Sequence, residues 1–164
     1  MKEEPPDFLR ILKILSKHQV DFIVVGGVCG VLHGAPVSTF DLDLVHARSP
    51  ENLDRLLKAL EDLEACYRGR EGTKRRPGIA HLSTTGHQLL ITNLGPLDLL
   101  GSIGKGHDYQ ELLKDTVVLE IEGFRFRMLE LDALIRIKKE TITDKDKLTI
   151  LILERTLEEK SGKA

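Results

Sequence analysis

The chain of 164 residues contains no tryptophan, only 4% aromatic residues and two cysteines. Cys29 and Cys66 stand apart without CxxC spacing. That excludes a disulfide framework and a zinc ribbon, and it suits a reducing cytosol. No apolar run approaches the roughly 20 residues needed to cross a bilayer. The start, Met1-Lys2-Glu3-Glu4-Pro5-Pro6, is too acidic for a signal peptide. The expectation is a cytoplasmic protein with no membrane partner. A net charge of −2 exerts no global pull toward nucleic acid. The six histidines lack ligand spacing, which argues against zinc. There is no GxxxxGK[ST] loop and no GxGxxG after the first strand, so neither a Walker loop nor a dinucleotide fingerprint is present. Ser83, His87 and Asp98 have no nucleophile elbow to make them a triad.

What is present is ordinary globular material, 41% apolar and 30% charged. The length fits one domain over residues 1–164, with an N-terminal helix within 1–20 and closing helices within 129–160. Phe8-Leu9, Ile11-Leu12 and Ile14-Leu15 recur at helical spacing, so a first helix runs to about His18. Asp21 to Val25 reads as a short β-branched strand, and Val28 to His33 as a helix stopped by Gly34-Ala35-Pro36. Phe40 to His46 is a second strand. Ser49-Pro50 opens a helix over Glu51 to Ala65 with Leu53, Leu56, Leu57, Leu60 and Leu63 in one stripe. Arg68 to Gly78 mixes Arg68, Arg70, Lys74, Arg75 and Arg76 with glycine and proline, and reads as a mobile basic loop. Its five cations would suit an anionic acceptor such as RNA. No aromatic side chain interleaves with them, so no stacking platform is expected. Beyond it lie strands at Gln88–Thr92 and Pro96–Leu100, a short helix at Tyr109–Lys114, and a hairpin of Thr116–Ile121 and Phe124–Met128. Helices at Leu131–Thr141 and Asp144–Glu159 close the chain. This alternation predicts an α/β (α+β) fold, a mixed β-sheet flanked by helices.

The informative residues are acidic. Phe40-Asp41-Leu42-Asp43-Leu44 and Leu97-Asp98-Leu99 place carboxylates inside apolar strands, where burial is costly without a compensating charge. Alternate strand residues share a face, so Asp41 and Asp43 are expected to project together. Hard divalent cations such as Mg²⁺ prefer carboxylate oxygens and phosphates. Two carboxylates on one strand and a third on a neighbour can hold one or two such ions. Asp98 is also placed to accept a proton from an attacking hydroxyl. Before these acids comes Gly26-Gly27, where side-chain-free backbone admits a phosphate close to a helix N-terminus. Cys29 is expected to pack as a small apolar residue beneath that turn.

At these residues the chain resembles the nucleotidyltransferase superfamily of DNA polymerase β type, and within it the small bacterial enzymes related to abortive-infection toxins and minimal nucleotidyltransferases. The shared pattern is an apolar strand, Gly-Gly, about a dozen residues, Asp-x-Asp, and a third acid on a later strand. Leu32-His33-Gly34, Thr39, and Leu131-Asp132-Ala133-Leu134-Ile135 with Lys138 and Lys145-Asp146 also match, so the likeness covers about Phe22 to Leu153. The resemblance implies a nucleotidyltransferase fold with C-terminal helices. It implies catalytic and metal-binding roles for Asp41, Asp43 and Asp98, with Mg²⁺ or Mn²⁺ as cofactor. It assigns nucleotide binding to Gly26, Gly27, Thr39 and Lys138. It also implies an NTP substrate and a protein, tRNA or small-molecule acceptor. Val37 and Thr143 depart from basic positions of the pattern. They favour the alternative, a binding module without turnover acting as a regulatory or toxin–antitoxin partner of an antitoxin or other helical protein.

Overall fold

The computed structural model describes residues 5–69 and 74–162. A seven-stranded mixed sheet is its centre, and apart from the short strand at Cys66–Tyr67 and the short helix at Ile79–Leu82 the elements follow the order read from the sequence. Helix α1 (Phe8–Lys17) starts at Asp7, whose carboxylate accepts from the Arg10 N–H at 3.1 Å, and buries Ile11, Leu12 and Leu15. Strand β1 (Phe22–Val25) is buried at all four positions. It lies inside the sheet, which is where a short continuous apolar run belongs. Helix α2 (Gly26–Leu32) follows without a loop, then strand β2 (Leu42–His46). Helix α3 (Pro50–Asp62) has Ser49 as N-cap and proline in its first turn, and turns Leu53, Leu56 and Leu60 inward. Burying each such leucine contributes about 1.5–3 kcal/mol.

Strand β3 (Cys66–Tyr67) and helix α4 (Ile79–Leu82) are short. Strands β4 (His87–Thr92) and β5 (Gly95–Leu100) form a hairpin, and α5 (Tyr109–Leu112) runs into a 3₁₀ turn at Leu113–Asp115. A second hairpin joins β6 (Thr116–Ile121) to β7 (Phe124–Leu129), and α6 (Leu131–Glu140) and α7 (Asp144–Lys160) close the chain. The sheet order is β3-β4-β5-β2-β1-β7-β6. β2 pairs parallel with β5, β1 pairs parallel with β7, and the other neighbours are antiparallel. Helix α2 packs on β1, β2 and α6, and α6 packs in turn on α7.

Three local expectations need correction. The helix after β1 begins at Gly26, two residues before Val28, so the glycine pair is its first turn. The second strand begins at Leu42, because Asp41 occupies a bend before the ladder starts. The region from Arg68 is anchored at its start: the Arg68 N–H donates to Leu89 O at 3.1 Å, and Tyr67 N–H to Arg75 O at 2.8 Å. These pairings bring together segments far apart in sequence, and composition does not report them. Arg70 lies outside the described residues, while Lys74, Arg75 and Arg76 are exposed.

One buried polar residue had no signal in the sequence. Asn52, fully buried in α3, accepts from the Asp21 N–H at 2.7 Å and donates to Asp21 O at 3.0 Å and Ala47 O at 2.7 Å. It ties α3 to the backbone at the start of β1 and the end of β2. Satisfied in this way, a buried amide stabilises; unpaired, it would cost about 1–3 kcal/mol.

Candidate active site

Asp43 and Asp98 meet because two strand registers align them with the end of β1. Val25 at the end of β1 pairs with Asp43 on β2, and Asp43 pairs with Asp98 on β5. Neighbouring partners in a sheet project to the same face. The Asp43 and Asp98 carboxylates therefore confront each other among apolar residues. Asp43 Oδ1 is buried and has no hydrogen-bond partner among the described residues. Burial first, then the Asp98 charge and contact, then Asp41, push the Asp43 carboxyl up to about 7, against a smaller opposing pull from Lys138.

Asp41 does not stand with them as the strand pattern predicts. It sits at the bend, with its side chain 44% exposed. The Arg68 guanidinium lies among the acids, with Nη2 2.6 Å from Asp98 Oδ1 and Nη1 3.8 Å from Asp41 Oδ1. As they stand, no group of three His, Cys, Asp and Glu side chains among the described residues is drawn close enough to enclose a metal ion. Sequence reasoning placed Arg68 in a solvated loop and missed this contact. The only available signal was its position two residues beyond Cys66 in a strand too short to show periodicity.

Gly26 makes room for Asp43. Its φ of +68° is left-handed, and a Cβ there would overlap Asp43 Oδ2 and come within 3.0 Å of Cγ. Gly27 faces the other way, since a Cβ on it would lie 3.1 Å from Thr39 Cβ. Thr39 in turn donates from Oγ1 to Asp41 O at 3.1 Å. The glycine pair, Thr39, the Asp41 backbone and the Asp43 carboxylate are thus packed in sequence. No side chain caps the N-terminus of α2.

Lys138 projects from α6 and pairs with Asp146 Oδ1 at 3.1 Å. It borders a cavity of about 440 Å³ together with Gly26, Gly27, Val37, Leu134 and Leu148. It also borders a smaller hollow reaching Val25 and Asp43. Val37 is therefore part of the cavity's apolar lining. Thr143 caps α7: its N–H and Oγ1 both reach Asp146 Oδ2, at 3.2 and 2.9 Å. Thr143→Ala should lower stability by about 0.5–2 kcal/mol in a denaturant titration, the usual effect of losing an N-cap side chain. Cys29 is fully buried, and burial pushes its thiol up to about 12, so it behaves as an inert packing residue. His33 is a buried tie, its Nε2 2.7 Å from Leu129 O and its Nδ1 2.8 Å from Lys160 Nζ.

No protein-family model and no curated protein matches the chain in sequence. Solved structures do match in fold. The lincosamide antibiotic adenylyltransferase LnuA, bound to lincomycin, superposes with a TM-score of 0.59 at 14% identity, over 90% of this chain and 94% of that one. ANT(2")-Ia, in complex with adenylyl-2"-tobramycin, gives 0.56 at 15% identity, over 94% and 89%. A candidate nucleotidyltransferase from Thermotoga maritima, TM1012, gives 0.56 at 17% identity, over 96% and 94%. No helix of the described residues is long and apolar enough to cross a membrane. With its strand order, its glycine turn against β2 and its acids on β2 and β5, the chain has the nucleotidyltransferase fold.

Proposed function

We propose that the protein is a divalent-metal-dependent nucleotidyltransferase, moving a nucleoside monophosphate from an NTP to a hydroxyl acceptor with release of pyrophosphate. The observation that carries this reading is Asp43. It is half-buried against the buried carboxylate of Asp98, with one enclosed oxygen that no described residue partners, beside a glycine whose missing side chain makes room for it. A pair of buried carboxylates is destabilising by itself, and oxygen donors of this kind fit Mg²⁺ or Mn²⁺. Asp41, Asp43 and Asp98 are the residues that would hold the metal. When bound, it would neutralise phosphate charge and lower the barrier to displacement at phosphorus.

The remaining roles belong to the chain itself. Gly26 and Gly27 offer backbone without side chains at an uncapped helix start, suited to the triphosphate. Thr39 braces the approach to Asp41, and Lys138 borders the cavity where phosphate charge would lie. That cavity, at about 440 Å³, falls in the range of small-molecule sites. The acceptor oxygen attacks the α-phosphorus, its bond to pyrophosphate breaks, and Asp98 takes the acceptor proton. A small hydroxylated acceptor is favoured by the likeness to antibiotic adenylyltransferases. The exposed Lys74, Arg75 and Arg76 suit RNA instead.

The test is calorimetry on the Asp41→Asn, Asp43→Asn double variant. The fold should persist, and the Mg²⁺-dependent part of NTP binding should vanish. Undiminished Mg²⁺·NTP affinity in the double variant would falsify the assignment.

A further inference from the structure

Arg68 is the side chain that the reading above leaves without a task. Its placement is specific. The backbone N–H is fixed to Leu89 O at 3.1 Å, and Nη1 donates to Leu90 O at 3.0 Å. The guanidinium is thereby aimed along β4 at the acids, with Nη2 on Asp98 at 2.6 Å and Nη1 toward Asp41 at 3.8 Å. The Asp98 side chain is only 12% exposed, so its carboxylate has little water to balance its charge. Arg68 itself is 30% exposed. It reaches the acids from the solvent side of the site rather than from the apolar core, and Arg68 is not among the core residues.

We infer that Arg68 is a built-in counter-cation of the metal-free site, bridging Asp98 and Asp41, which a divalent ion must displace before the three carboxylates can converge. The inference rests on the metal-binding reading of those acids. Its logic is competition. A guanidinium on Asp98 satisfies one carboxylate with a single delocalised charge at hydrogen-bond length. A bound Mg²⁺ would place two charges at about 2.0–2.1 Å from the same oxygens. On one largely buried carboxylate the docked guanidinium and a divalent ion repel each other, so the two compete for Asp98. Metal-free protein is kept from leaving three carboxylates uncompensated, and Asp98 is exposed to an acceptor only after the cation has been exchanged. Apparent metal affinity is reduced by the fraction of molecules in which Arg68 is docked.

The experiment is Mn²⁺ binding by electron paramagnetic resonance on the full chain without nucleotide, comparing wild type, Arg68→Gln and Arg68→Lys. Removing the competitor and its repulsion should tighten Mn²⁺ in Arg68→Gln by about tenfold or more, the effect of releasing a site docked nine-tenths of the time. Arg68→Lys, which keeps the charge and loses the fork, should fall between. Equal or weaker Mn²⁺ affinity in Arg68→Gln, with normal binding in wild type, would mean that Arg68 merely supports Asp98, and it overturns the inference alone. No Mn²⁺ uptake in either protein overturns the metal reading and the inference together. Wild type supplies a second readout that needs no variant to fold. Its guanidinium NMR signals should include one restrained side chain that becomes mobile on saturation with Mg²⁺. Arg48, Arg55 and Arg136 are also paired and should keep their signals; if every restrained guanidinium signal persists unchanged at saturation, the displacement is overturned.

Discussion

Gly26→Ala should abolish the site while leaving most of the fold. The residue has φ +68°, and the added Cβ would overlap Asp43 Oδ2. A non-glycine residue in this conformation costs about 1–3 kcal/mol, so a lowered Tm is expected by circular dichroism. The larger effect is local. Asp43 stands between its register partners Val25 and Asp98, and its carboxylate must shift to admit the new Cβ. Turning its carboxylate aside should weaken Mn²⁺ binding by about 10–100-fold, as when a residue supporting a metal ligand is lost. Gly27→Ala is the internal control. Its φ is ordinary, and its new Cβ would press on Thr39 rather than on an acid. Mn²⁺ affinity should therefore fall less in Gly27→Ala than in Gly26→Ala. Equal losses in the two would show that general loosening of α2, not the Asp43 contact, is responsible.

Asp43→Asn should stabilise the metal-free protein at pH 8, by an amount on the order of a few kcal/mol. In the folded chain the Asp43 carboxyl is raised from 3.8 to about 7, by burial first and by Asp98 second. Between those two values the folded state binds the proton and the unfolded state does not. Stability contributed by the protonated form is thus fully present below about pH 4, lost as pH rises toward 7, and absent above it. Asparagine carries no such charge and can donate from its amide to Asp98. The difference in unfolding free energy between variant and wild type, measured in chelator, should grow from pH 4 to pH 7 and then level. Groups that do not touch Asp43, such as His107, raised chiefly by its contact with Glu140, cancel in the difference. Saturating Mg²⁺ should stabilise wild type at pH 8 and give the variant much less. A difference independent of pH would mean that Asp43 is ionised throughout, its charge balanced by its surroundings.

The strongest elements were legible because each carries its own local signal. Ser49-Pro50 and the leucine stripe announced α3, and the apolar β-branched run Phe22–Val25 announced a buried strand. Turn residues placed both hairpins within a residue or so. The strand β3 and helix α4 escaped, because two and four residues are too short for either period to show. At the site, Gly26, Gly27, Asp41, Asp43 and Asp98 were picked out as charges and glycines in places where ordinary strands do not keep them.

The amino-acid sequence alone therefore determined the order of the longer helices and strands, the apolar faces they bury, and which acids stand out against that background. These follow from hydrophobic period and from the cost of placing a charge in an apolar run, both properties of a few consecutive residues. The tertiary structure decided the rest. Pairing of β2 with β5 set Asp43 against Asp98, and the bend before β2 left Asp41 apart from them. The short strand β3 delivered Arg68 to the acids from a segment that reads as loop. Residues 30 and more apart in the chain interact only once strand register fixes which side chains face each other, and register belongs to the assembled sheet rather than to any one segment.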